Sequence, residues 1–252
     1  MRTSTVKWSA AILGLCLAAC SHNDGFKKAS PEVTAATNMQ LAIEYMRMGK
    51  LASSRDFIER ALSENPANPD VQMTAGLVYE RLNDMKKADR AYSTGYRMGK
   101  NDPNIQNTYA GFLCRTGKAV EGEKLFDQVA RSPLYQTPEV ALVNAGVCVR
   151  GTGDLVDAER YFNRALAIRP NLPEAMLQLG NIAFDRGDTA QARDLVGRYL
   201  AVNAPTAEVL WLGFRAERKL GDATAAAGYA RRVQTEFPNS EQAQMMRSGI
   251  DR

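Results

Sequence analysis

The chain has 252 residues, 45% of them hydrophobic and 24% charged, which is enough apolar material for a sizeable folded body and ordinary for a water-facing protein. Its formal net charge of +4 falls to +2 once Arg2 and Lys7 of residues 1–19 are set aside, and the remaining basic residues are dispersed among Asp and Glu. That pattern excludes a nucleic-acid footprint, which needs Lys and Arg gathered into one stripe. The single histidine, His22, leaves no imidazole beside a serine or cysteine nucleophile in the folded body.

The first element is a targeting segment over residues 1–19. Arg2 and Lys7 give it a positive start, and the apolar run from Trp8 to Ala19 is too short for an ordinary membrane span. It ends Leu17-Ala18-Ala19-Cys20, which resembles the lipobox of bacterial lipoprotein signals. The resemblance implies cleavage before Cys20, a diacylglycerol thioether on its sulfur, and acylation of the new amine; the thiol is needed as the nucleophile that takes the lipid. Each buried methylene contributes about 0.8 kcal/mol, so more than one acyl chain makes a stable anchor. Ser21 follows, where Asp in lipoprotein sorting favours retention at the inner membrane, so the resemblance implies a lipid-anchored, periplasm-facing protein of the outer membrane. A secretory leader that happens to carry a cysteine is the alternative. Residues 20–32 are polar and aperiodic, a lipidated N-terminus and tether reaching roughly 20 Å root-mean-square.

From residue 33 the pattern becomes helical and repeats, and Glu139 to Pro170 shows the unit. Leu142, Ala145, Gly146 and Val149 fall on one face of a first helix. Gly151 and Gly153 break that helix, and Asp154 can cap the next by accepting from the free N–H groups of its first turn. Ala158, Phe162 and Ala165 line one face of the second helix, and Pro170 ends it. Small residues let the two backbones approach, and Phe162 fills the space beside them. The turn residue recurs as Gly49, Asn83, Gly117, Gly153, Gly187 and Gly221, at intervals of 34, 34, 36, 34 and 34. Seven residues before each stand Ala42, Gly76, Ala110, Gly146, Gly180 and Phe214. Five after stand Ser54, Ala88, Gly122, Ala158, Ala192 and Ala226, and nine after stand Ile58, Tyr92, Phe126, Phe162, Val196 and Ala230.

These residues resemble tetratricopeptide repeats, which alternate small and large residues over about 34 positions. The resemblance implies an all-α fold: a right-handed superhelical solenoid of six helix-turn-helix repeats over 33–238 (about 35–68, 69–102, 103–138, 139–172, 173–206 and 207–238). A C-terminal capping helix over 239–252 presents a polar cover to the open end. Three departures stand out: Gly122 inside a second helix, a two-residue insertion in the loop from Ser132 to Pro138, and Gly213 one place early with Glu217 where a large apolar residue is usual. Stacking of successive first helices would bring Cys114 and Cys148 together. In an oxidising periplasm the resemblance therefore implies a disulfide between repeats three and four, with two small buried thiols as the alternative. No residues stand near these thiols to complete a metal shell.

Catalytic signatures are missing. There is no Gly-rich phosphate loop, and acids such as Asp154, Asp157 and Glu159 read as caps and solvated helix faces. No enzyme, cofactor, metal, nucleic acid or small-molecule substrate is expected. In a tetratricopeptide solenoid the first helices line a concave binding face, which the resemblance assigns in the first two repeats to Met39, Ile43, Met46, Met73 and Leu77. Methionine adapts to irregular partners, so the expected occupant is an amphipathic helix or apolar tail; packing of these side chains within the protein is the alternative. Later repeats put Arg115, Arg150, Arg215 and Arg218 on that face, with Trp211 read as core and a partner anchor as the alternative. Lipobox, tether and six repeats together resemble the type IV pilus biogenesis lipoproteins of the PilF/PilW family. That resemblance implies a pilotin, which binds the secretin subunit of the pilus and promotes its outer-membrane localisation and multimerisation. Two other readings remain: a lipidated scaffold for envelope or peptidoglycan enzymes, and an accessory lipoprotein of outer-membrane protein insertion.

Overall fold

The structure, a computed structural model, describes residues 29–249. Cys20, the expected leader and most of the expected tether lie outside the described residues. Among those residues there are thirteen helices and no strand. Six hairpins form in order: α1 (Pro31–Arg47) with α2 (Leu51–Glu64), α3 (Pro69–Arg81) with α4 (Met85–Met98), and α5 (Pro103–Arg115) with α6 (Ala119–Ala130). They continue with α7 (Pro138–Arg150) and α8 (Leu155–Ile168), α9 (Pro173–Arg186) and α10 (Thr189–Val202), and α11 (Ala207–Leu220) and α12 (Ala223–Glu236). A last short helix, α13 (Glu241–Ser248), follows.

Local chemistry sets these boundaries. Helices α3, α5, α7 and α9 each begin with a proline, whose fixed φ and missing N–H suit a first helical position. Asp84, Asp154, Asp188 and Asp222 each accept from a backbone N–H three residues on and so cap α4, α8, α10 and α12. All six turn residues adopt left-handed backbone, with φ from 60° at Asn83 to 92° at Gly153; the asparagine serves because its side chain tolerates that region. The expected tether is shorter than residues 20–32: Ser30 caps a helix that already begins at Pro31. Ala35 on its added turn is fully buried.

Within the hairpins of repeats two, four and six a glycine on the first helix receives an aromatic ring from the second. A Cβ built on Gly76 would lie 2.7 Å from the Tyr92 ring, and one on Gly146 the same distance from Phe162. In repeat one the seam also carries a hydrogen bond: Ser54, at the repeat position of Ala88, is buried and its hydroxyl donates to the Ala42 carbonyl at 2.8 Å. Repeat six corrects the sequence register. Tyr229, not Ala230, packs on Gly213, whose Cβ would lie 2.9 Å from the ring.

Each first helix, from α1 to α11, touches the first helix of the next repeat, whereas a second helix touches only the first helices on either side of it. First helices are therefore drawn together and second helices splayed, which curves the stack with the first helices on its inner face. Helix α13 closes the end: it packs on α11 and α12, with Ala243 fully buried and Met246 half-buried against the apolar cluster that also holds Val233 and Leu210. No described helix is long and apolar enough to cross a membrane.

Candidate partner-binding face

The inner face carries an apolar strip at its N-terminal end. Met39, Ile43 and Met46 lie half-exposed on α1, and Leu77 does so on α3. Met73 departs from the expectation. It is only 6% exposed, because Gly95 on α4 has no side chain and leaves a slot that the thioether fills, Met73 Cε lying 2.9 Å from where a Cβ would stand. Met73 is thus the floor of the strip rather than one of its free contacts. The open depression above it, ≈ 320 Å³, is lined by Met39, Leu77, Ile105 and Thr108 among others. A second depression of ≈ 490 Å³, with Asn107, Gly111, Asn144 and Val147 in its wall, shares Leu77 and Thr108 with the first. The two adjoin at Leu77 and Thr108 and together span the first helices of repeats one to four.

Sequence reasoning missed the polar members of these depressions. Asn107 lies at the same repeat position as Met39 and Met73, and its side-chain carbonyl accepts from the Asn144 amide at 3.2 Å, bridging α5 and α7. The repeat register held the signal, because it assigns every such position to the inner face.

The cations expected on this face divide into two groups. Arg115 is bidentate with Glu80 across neighbouring repeats, at 2.6 and 3.0 Å, and the Tyr92 hydroxyl donates to the same carboxylate at 2.9 Å. Burial opposes the charge on Glu80, but the Arg115 guanidinium and the Tyr92 hydroxyl outweigh it and hold the carboxyl below its ordinary value. Burial and the adjoining carboxylate push the Tyr92 hydroxyl up. Arg150 donates to Gln178 at 2.5 Å and to Asp185 at 3.3 Å. These two arginines therefore clamp successive repeats and do not form a cationic binding stretch. Arg215 and Arg218 instead lie over aromatic rings further along.

Cys114 and Cys148 are joined by a disulfide that links α5 to α7, with their Cα atoms 5.5 Å apart. Cys114 also lines the second depression. Gly122 on α6 makes room for this bond: a Cβ there would collide with Cys114 Sγ and come within 2.8 Å of the Ala110 carbonyl. The three acids singled out in the sequence have structural partners. Asp154 caps α8, Asp157 pairs with Arg160 at 3.0 Å, and Glu159 pairs with Arg186. Among the described residues no three His, Cys, Asp or Glu side chains gather in a metal-binding group.

Tetratricopeptide repeat family profiles match residues 39–103, 150–212 and 209–240. The solved structure of PilW, a widely conserved type IV pilus biogenesis factor, superposes with a TM-score of 0.72 at 31% sequence identity, over 84% of this chain and 97% of that one. The chain belongs to the PilF/PilW family of type IV pilus biogenesis tetratricopeptide proteins. The type IV pilus assembly protein PilF of Pseudomonas aeruginosa is 21% identical over 202 residues, 80% of each chain. A solved structure of Pseudomonas aeruginosa PilF shares the fold, with a TM-score of 0.68 at 20% identity, over 87% of this chain and 99% of that one. Repeat scaffolds of this kind are generally binding proteins rather than enzymes, and their inner faces are where partners lie.

Proposed function

We propose that the chain is a pilotin of the type IV pilus. Lipids on Cys20 anchor it to the periplasmic side of the outer membrane. Its N-terminal inner face holds an apolar segment of the secretin subunit and promotes assembly of that subunit into its ring. The observation that carries this reading is the half-exposed strip of Met39, Ile43, Met46 and Leu77 on a concave face. Apolar side chains gathered on one concave surface of a folded protein mark a place where a partner is desolvated. Family membership supports the pilus as the setting, and the lipobox supports a membrane anchor eleven residues before α1 begins. The physical logic is transport. A secretin segment destined for the outer membrane is apolar and prone to aggregate in the aqueous periplasm. A groove covers it, and sorting of the lipid carries both outward.

The test is Cys20→Ala in the full chain. The expected result is a folded protein released from the outer membrane, with secretin subunits recovered unassembled or in the inner-membrane fraction. Secretin rings formed normally in the outer membrane by this variant would contradict the anchor's role.

A further inference from the structure

The sixth repeat breaks the pattern of the others, and the break creates a surface. Gly213 and Tyr229 both stand one place nearer the N-terminus, relative to Gly221, than Gly76 and Tyr92 do relative to Asn83. Phe214 therefore occupies the position that other repeats give to glycine or alanine, yet it does not enter the hairpin seam. It packs on Trp211, ring centroids 5.3 Å apart, with the Arg218 guanidinium 5.3 Å above its own ring. One repeat earlier, the Phe184 ring carries Arg215 at 4.1 Å and the Lys219 ammonium at 5.0 Å. Trp211 is half-exposed and belongs to no buried cluster, which corrects its reading as core. Phe184 stands three residues before Gly187, as Met46 does before Gly49, so the aromatic and cationic patch that includes its ring lies on the same inner face, at its far end.

Its charges are not spoken for. Among the described residues Arg215, Arg218 and Lys219 enter no ion pair and donate no side-chain hydrogen bond, in contrast to Arg115 and Arg150. Of the acids nearby, Asp185 is held by Arg150, Glu217 is buried, and Glu208 stands at the start of α11, a turn before Trp211. A guanidinium stacked on a ring face is fixed in orientation while its N–H edge stays free to take a carboxylate in bidentate fashion. Trp and Arg together on a concave surface are also the side chains that most often anchor a partner.

We propose that this end of the inner face binds an extended acidic segment of a partner protein, in which carboxylates alternate with apolar or aromatic side chains. Carboxylates meet Arg215, Arg218 and Lys219, and the intervening side chains pack on Trp211 and Phe214. Charge complementarity selects the acidic class, and concavity selects an extended chain over a flat bilayer. The inference stands apart from the secretin reading, which uses repeats one and two.

The sequence contains two tryptophans, Trp8 and Trp211. In the full chain carrying Trp8→Phe, held in detergent micelles, tryptophan emission therefore reports on the patch alone. The probe is a short peptide alternating Asp with Phe and Leu, followed by Trp211 emission and, on a dye-labelled copy, by anisotropy. Binding should shift or quench the emission. It should weaken about tenfold or more in R215A/R218A/K219A, and likewise when Asn replaces each Asp of the peptide. R215K, which keeps the charge but loses the planar fork, should fall between. The proposal is overturned if the peptide fails to bind, if the Asn peptide binds equally, or if the triple variant binds undiminished. It is overturned equally if binding is lost through Met46→Glu instead, or if the patch prefers phosphatidylglycerol vesicles to the peptide.

Discussion

Single residues decide how closely the helices of this chain approach. Gly146 faces Phe162 with no room for a methyl group, since a Cβ would stand 2.7 Å from the ring. Gly146→Ala should therefore destabilise by about 1–3 kcal/mol, read from urea unfolding, because an overfilled seam must push its helices apart. A change within error would mean that the seam is loose. Glu80 gives a prediction in pH. Its folded pKa lies below the ordinary 4.5, so its stabilising pairing with Arg115 and Tyr92 is fully present above 4.5 and is lost as pH falls through the depressed value. The difference in melting temperature between the wild-type protein and Glu80→Gln should shrink as the medium is acidified below 4.5. A difference that stays constant with pH would remove the ion pair as its source.

At the scale of helices, the disulfide fixes α5 against α7 and closes a loop of 34 residues. Chain entropy then assigns it roughly 3–4 kcal/mol, which C114A/C148A should lose in denaturant unfolding. Gly122→Ala should be more destabilising in the oxidised protein than in the C114A/C148A background, because the added methyl collides with Cys114 Sγ in the first and only with the Ala110 carbonyl, at 2.8 Å, in the second. Equal penalties in both backgrounds would refute that coupling. The same region shows what a sequence reveals. The six turn residues were legible because each must adopt left-handed backbone and only Gly or Asn does so readily. The hairpin seams were legible because small and large residues recur at fixed distances from those turns. Gly122 was visible only as an exception, since its reason is a sulfur brought in from α5. Met73 was assigned to the right face, but its depth depends on Gly95 of the facing helix. Tyr229 was missed because both partners of its contact shift together, which a count from the turn alone cannot reveal. The ion pairs of Arg115 and Arg150 were hidden for a similar reason: their acceptors Glu80 and Asp185 lie a whole repeat away.

For the whole molecule, a stack held by neighbour contacts opens from its ends. Amide hydrogen exchange should be slowest in α5 to α7, where the disulfide and the Asn107–Asn144 bond join repeats, and fastest in the terminal hairpins. Removing residues 239–252 takes Ala243 and Met246 away from the apolar cluster that holds Val233 and Leu210 and should lower protection in α11 and α12 while leaving α3 to α7 unchanged. Uniform loss along the chain would mean that the repeats unfold as one unit. Function follows from the same architecture. First helices drawn to one side form a long inner face, apolar at its N-terminal end and aromatic and cationic at the other.

The most direct measurement is site-specific photo-crosslinking in intact envelopes, with a photoreactive side chain at Ile43 or Leu77 on the inner face. The control position is Val156, 73% exposed on the second helix α8. Crosslinks to the secretin subunit from positions 43 and 77, and none from 156, are the predicted result. Secretin captured only from position 156, or from none of the three, would contradict binding by the N-terminal inner face.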